Sequence, residues 1–318
     1  MIILKTFNKM SKFSLYLLFL LLLFISIPSL WSEPEQKTIA IITSQEKGPY
    51  NQAVIGFKEY LKKNKIDVQY SEYDLSQEKE PVKICEKIRN EKPTLVLAIG
   101  SNAKKLAEDN LTDIPVVYSM VLLSEPFTRV NMTGVSLHIP LDVKINALKR
   151  ILPEAKKVGL VYSAKTEDEK GKITRAIEKE KLQLLAKKVD SEKDLQMAIE
   201  DIEQKIDCFW MLPDSTIYSP ESVKYLLMSG LKQKFAVIGL ASSYVEAGAL
   251  FSLDCDYENI GQQTAELALK ILNGEKAANL PAEFPHKTKL SLNLIVAEEI
   301  GLKIPEKIIK EADKVFKK

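Results

Sequence analysis

Ile39, Ala40, Ile41 and Ile42 are consecutive and all apolar, so a strand built from them is apolar on both faces. Such a strand needs cover on two sides. A parallel sheet with helices on both faces supplies it. The sequence that follows carries a helix. Gly48 and Pro49 mark a turn, and 52–63 places Val54, Phe57 and Leu61 near one helical face. The unit then recurs, with strands expected at 67–73, 94–99 and 115–119 and helices at 81–89 and 103–108. A βαβ series of this kind implies right-handed crossovers and a parallel sheet.

A change comes at 133–140, where Gly134, Val135 and Ser136 read as a strand entering a crossover between lobes. A helix over 141–151, stopped by Pro153, opens a second series. Its strands are expected at 158–162, 184–189, 208–212 and 235–238, and its helices at about 171–180, 192–204 and 220–231. The last third holds a strand at 249–254, an amphipathic helix over 260–272 closed by Gly274, a strand at 290–294 and a helical tail. The fold class is α/β, with two Rossmann-like lobes built on parallel sheets. The expected division is 37–135 plus about 248–275 for the first lobe, and 136–247 plus about 285–318 for the second.

Residues 1–32 have a different character. Lys5, Lys9 and Lys12 precede an apolar run over 13–27, and a polar stretch begins at Glu33. This is the order of a secretory signal. Ser32 suits the last position before a cut, whereas Leu30 is large for the third, so retention as an N-terminal membrane anchor is the other reading. Both readings place the lobes in the periplasm or on the extracytoplasmic face of the inner membrane.

Charge and composition exclude several function classes. Setting aside the three prefix lysines takes the 45 basic residues to 42, against 43 acidic ones. A near-neutral body gives no electrostatic basis for binding nucleic acid. Cys85, Cys208 and Cys255 are not at metal-ligand spacing, and an odd number excludes a complete disulfide framework. His138 and His286 are far apart. No nucleotide-binding glycine loop, nucleophile elbow or zinc-protease helix is present, and no cofactor is expected. An exported hydrolase with partners distant in sequence stays open.

Ligands of open parallel sheets bind beyond the carboxyl ends of the strands. That rule selects Thr43, Ser44 and Tyr50 after the first strand, Ser101 and Asn102 after the third, and Ser119 on the next. In the second series it selects Tyr162, Asp214, Ser215 and Ser242, and Asp254 follows at the candidate return strand. Hydroxyls, helix-start amides, carboxylates and rings suit a small polar ligand. Ser101 could share its amides with an anion or cap its helix. Asp214 could face a ligand ammonium or cap a turn. Tyr50 and Tyr162 could cover a flat ligand or pack beside the cleft.

Four motifs carry a resemblance. They are Gly48-Pro49-Tyr50-Asn51-Gln52-Ala53 with Gly56-Phe57, Thr133-Gly134-Val135-Ser136, and Leu212-Pro213-Asp214-Ser215-Thr216. The fourth is Ser243-Tyr244-Val245-Glu246-Ala247-Gly248 followed by Asp256-Tyr257-Glu258-Asn259-Ile260-Gly261. Together they resemble the ABC-transporter substrate-binding family whose characterised members bind tryptophan, phenylalanine or tyrosine. The resemblance implies a periplasmic-binding-protein type 1 fold with a ligand trapped between lobes, an amino-acid-like ligand, an inner-membrane ABC permease as partner, and no catalysis. It also implies that the loops holding Thr43-Ser44, Ser101-Asn102 and Asp214-Ser215 are pocket walls. A membrane-anchored ligand sensor is the alternative.

Overall fold

A computed structural model describes residues 36–45, 48–123 and 129–317. From Thr38 onward the chain forms one compact unit. The expected signal or anchor at 1–32 lies outside the described residues. Among those that are described, no helix is long and apolar enough to cross a membrane.

The first sheet is assembled from alternating elements: β1 (Lys37–Thr43), α1 (Pro49–Lys63), β2 (Val68–Asp74), α2 (Pro81–Glu91), β3 (Leu95–Ile99), α3 (Ser101–Asn110), β4 (Val116–Val121) and β5 (Met132–Ser136). Its strand order is β2-β1-β3-β4-β5, and the β1–β3, β3–β4 and β4–β5 ladders are parallel. The apolar run in β1 does what its pattern requires. Ile39 and Ile41 pack with Phe57 and Leu61 of α1, while Ala40 and Ile42 face Ile84 and Ile88 of α2. All four strand residues are fully buried. Proline in the first turn of α1 and of α2 starts each helix where its missing N–H costs nothing.

The second sheet begins after α4 (Leu141–Ile151). Its elements are β6 (Lys157–Tyr162), α5 (Glu167–Lys179), β7 (Gln183–Lys188), α6 (Leu195–Glu200), β8 (Cys208–Trp210), α7 (Pro220–Gln233), β9 (Ala236–Gly239), α8 (Ser242–Ala247) and β10 (Phe251–Cys255). After α9 (Tyr257–Leu272) come β11 (Thr288–Asn293), α10 (Leu294–Glu299), α11 (Glu306–Glu311) and β12 (Lys314–Phe316). The order is β12-β11-β10-β9-β8-β6-β7, parallel except for the β10–β11 pair.

Two expectations need correction here. The stretch from about 248 does not return whole to the first sheet, because β10 pairs with β9 in the second. Only α9 returns. It docks on α1 where two glycines let the backbones meet: a Cβ on Gly56 would lie 2.1 Å from the Glu258 carbonyl oxygen, and one on Gly261 would lie 2.0 Å from that of Ala53. The tail is also not wholly helical. It ends in β12, whose Lys314 to Phe316 pair in register with Ser291 to Asn293.

The chain therefore passes between the sheets three times, at 137–140, at Asp256 and at 281–287. The first two passages are tied together, since the Cys255 thiol donates to the Leu137 carbonyl at 3.2 Å. The third is tied to the first sheet, where Glu283 pairs with Val135 and its N–H donates to the Gly134 carbonyl.

Candidate functional site

The carboxyl ends of β1, β3 and β4 form one rim. Gly100 sits there with φ 91°, at the N-cap of α3, a backbone conformation open to glycine. A side chain would not fit in any case, since a Cβ would fall 2.5 Å from a Tyr50 ring carbon. Glycine cannot cap with a side chain, so the cap arrives from another loop. Ser44 Oγ accepts the Ala103 N–H at 3.0 Å, and the Ser44 N–H donates to the Ile99 carbonyl. Ser101 is thus not the cap of its helix. It and Asn102 lie exposed in the first turn. Their two N–H groups have no protein acceptor among the described residues.

Thr43 and Ser119 belong to the interior rather than to this rim. The Thr43 hydroxyl donates to the Tyr73 carbonyl at 3.3 Å, and the residue is buried. Ser119 is fully buried, and among the described residues its hydroxyl has no hydrogen-bond partner. Tyr50 is half-buried against the core shared by α1 and α9.

The second rim follows β6, β8, β9 and β10. Asp214 ends the segment after β8, and its carboxylate is occupied. Oδ2 accepts from Ser163 Oγ at 2.6 Å and Thr166 Oγ1 at 2.9 Å, and Oδ1 accepts the Thr216 N–H at 2.9 Å. Burial pushes its pKa up, but the donors from Ser163, Thr216 and Thr166 outweigh that and hold it below the usual range. The Asp214 carboxylate caps its own turn, one of the two roles open to it in the sequence, and clamps the loop after β6 to the loop after β8. Ser215 beside it is exposed. Tyr162 is half-buried, with Lys170 Nζ 5.3 Å from its ring centre.

Ser242 and Asp254 come together because β9 and β10 are neighbours in the second sheet. Asp254 Oδ2 accepts the Ser242 N–H at 2.7 Å at the start of α8. Burial raises the Asp254 pKa, and bonds from Ser242 and Ser252 partly offset this. Both line a cavity of about 570 Å³ that also includes Gln52 of α1. The fold thus joins this sequence-selected pair in one cavity wall.

A second cavity, about 80 Å³, opens beside it at the ends of β8, β9 and β10. Its walls include Trp210, Leu212, Leu240 and Leu253, and Lys144 of α4 enters it. The list drawn from loops missed Lys144, because it stands on a helix. The signal was available: it falls on the stripe of Leu141, Ile145 and Leu148, where a lysine is out of place. His138 lies close by in the first passage. Burial, together with Lys144 and Lys172, pushes its pKa down to about 4, so the ring is neutral at ordinary pH. Among the described residues no group of three His, Cys, Asp or Glu side chains could hold a metal ion.

Comparison with known proteins agrees with this architecture. A tyrosine-binding protein of Clostridioides difficile (strain R20291) is 24% identical over 280 residues, covering 81% of this chain and 79% of that protein. The ligand-free, open structure of a substrate binding protein with adhesive properties from Clostridium difficile superposes with TM-score 0.75 at 22% identity, covering 88% and 99% of the two chains. An ABC domain from Streptococcus pneumonia in complex with L-Trp gives 0.61 at 21% identity, covering 88% and 100%. The family model for ABC transporter substrate binding proteins matches residues 34–316. With that match across nearly all of both lobes, and with two α/β lobes of the type 1 periplasmic-binding-protein fold, the chain belongs to the ABC transporter substrate binding protein family.

Proposed function

We propose that the ligand of this solute-binding component of an ABC importer is an amino acid with an apolar or aromatic side chain, held at the two rims described above. The observation that carries the reading is that the rims offer both free amides and an apolar cavity. The first offers the Ser101 and Asn102 amides and the Tyr50 ring, and the second opens an apolar cavity walled by Trp210, Leu212, Leu240 and Leu253. A small zwitterion with an apolar side chain matches both. The relatives named for tyrosine and solved with L-Trp support the choice of class. The protein works outside the inner membrane, delivers to a permease, and is held there or released according to the fate of residues 1–32. Calorimetry with L-tyrosine, L-tryptophan and L-phenylalanine is expected to show one-to-one binding of at least one of them. Absence of heat with all three, in protein shown to be folded, would rule out the aromatic amino-acid reading.

A further inference from the structure

Lys144 is the charged group in the smaller cavity. It leaves the first turn of α4, just after the chain has crossed from the first sheet, and every other side chain lining that cavity is apolar. Among the described residues no carboxylate lies within ion-pair distance of its ammonium. The groups around it do not neutralise it. Glu169 acts only as a negative charge at longer range. The Cys255 thiol is pushed up to about 12 by burial and stays protonated, and His138 is uncharged above about pH 4. Lys172, the remaining cation whose field reaches His138, adds positive charge to the same region. An ammonium lodged among Trp210, Leu212 and Leu253 without a counter-ion is unfavourable, and burial accordingly lowers its pKa. A family of binding proteins has an obvious use for a charge kept unpaired until the ligand arrives.

We infer that Lys144 is the carboxylate anchor of the cleft, taking the negative end of an organic acid whose apolar side chain enters the cavity beside Trp210 and Leu253. This rests on the amino-acid reading and narrows it: the carboxylate is required and the ammonium is not. The cavity admits a side chain rather than a whole ligand, which leaves the polar end at its mouth, where the lysine enters. Asp214 does not compete for the ligand's positive end, since its oxygens are held by protein donors.

The test is calorimetry on wild type, Lys144→Met and Lys144→Arg with three probes: L-phenylalanine, 3-phenylpropionate, which lacks the ammonium, and L-phenylalaninamide, which lacks the carboxylate. Wild type is expected to bind the first two and to bind the amide at least tenfold more weakly. Lys144→Met is expected to lose about ten- to a hundredfold for the two carboxylates and nothing further for the amide, with Lys144→Arg between. Its ligand-free melting temperature is expected to be unchanged or higher, because a half-buried charge without an ion-pair partner has been removed. Carboxylate affinity equal in wild type and Lys144→Met overturns the assignment while leaving the amino-acid reading in place. Lys144-dependent binding of 3-phenylpropionate without binding of L-phenylalanine, L-tyrosine or L-tryptophan does the reverse. No binding of any probe by wild type overturns the assignment, and the amino-acid reading with it if L-tyrosine and L-tryptophan also fail to bind.

Discussion

Gly261→Val is expected to lower stability by about 3 kcal/mol, at the upper end of ordinary overpacking. The reason is what the new atoms would meet. A Cβ at 261 falls 2.0 Å from the Ala53 carbonyl oxygen and 2.9 Å from the Phe57 nitrogen, both main chain of α1. No rotamer relieves a clash with backbone, so α9 and α1 must separate. That separation opens the core in which Phe57, Ile260, Ala265 and Ala268 are buried together. At roughly 2–4 °C per kcal/mol for a chain of this size, the melting temperature should fall by about 6–12 °C. Gly171→Ala is the matched control. Gly171 sits in α5 with only an Arg175 guanidinium nitrogen near its Cβ position, at 3.9 Å, so alanine there should be neutral or stabilising by up to about 1 kcal/mol. Thermal melts of both variants check the pair. A Gly261→Val melt within a degree of wild type would show that the helix contact is looser than described.

The second large effect belongs to Asp214. Asp214→Ala removes one carboxylate that receives the Ser163 and Thr166 hydroxyls and the Thr216 amide, and leaves buried donors without an acceptor. Losses of this kind reach about 2–4 kcal/mol once the desolvation already suffered by the acid is set against its bonds. The pH dependence has a definite sign. The folded pKa of Asp214 is depressed, so its contribution is complete above the unfolded value of about 3.9 and is lost as pH falls through the lower folded value. The gap in denaturant midpoint between wild type and Asp214→Ala should hold steady from pH 8 to about pH 5 and narrow in stronger acid. A gap that widens on acidification would contradict the clamp. Asn at this position keeps one carbonyl acceptor and should lose less.

Much of this molecule can be read from its order of residues. The strand apolar on both faces at Ile39 to Ile42, the helix carrying Phe57 and Leu61, and the second series beginning after Ser136 all stand as their periods require, because burial on two faces or on one stripe is written locally. What escaped was set by contacts between distant residues. β10 reads as a strand from its own pattern, yet its choice of sheet is made by Phe251 pairing with Ile238 and Leu292. The cap of α3 comes from Ser44, which lies 59 residues upstream of the amide it accepts. Asp214 looks like a free strand-end carboxylate until Ser163 and Thr166 arrive from another loop. Thr43 and Ser119 satisfy the strand-end rule, but the pleat turns their hydroxyls inward. Lys144 is the opposite case, a residue missed by the loop rule although its place in an apolar helical stripe was a signal for it.

We propose that this chain carries a small organic acid unchanged. Mass spectrometry of the protein purified without denaturation, followed by release and identification of whatever it holds, tests that claim most directly. The expected result is one equivalent of an amino acid or related carboxylate, recovered with the same mass after prolonged incubation with the protein. Conversion of the recovered compound by repurified protein, or retention of a ligand that bears no carboxylate, would contradict it.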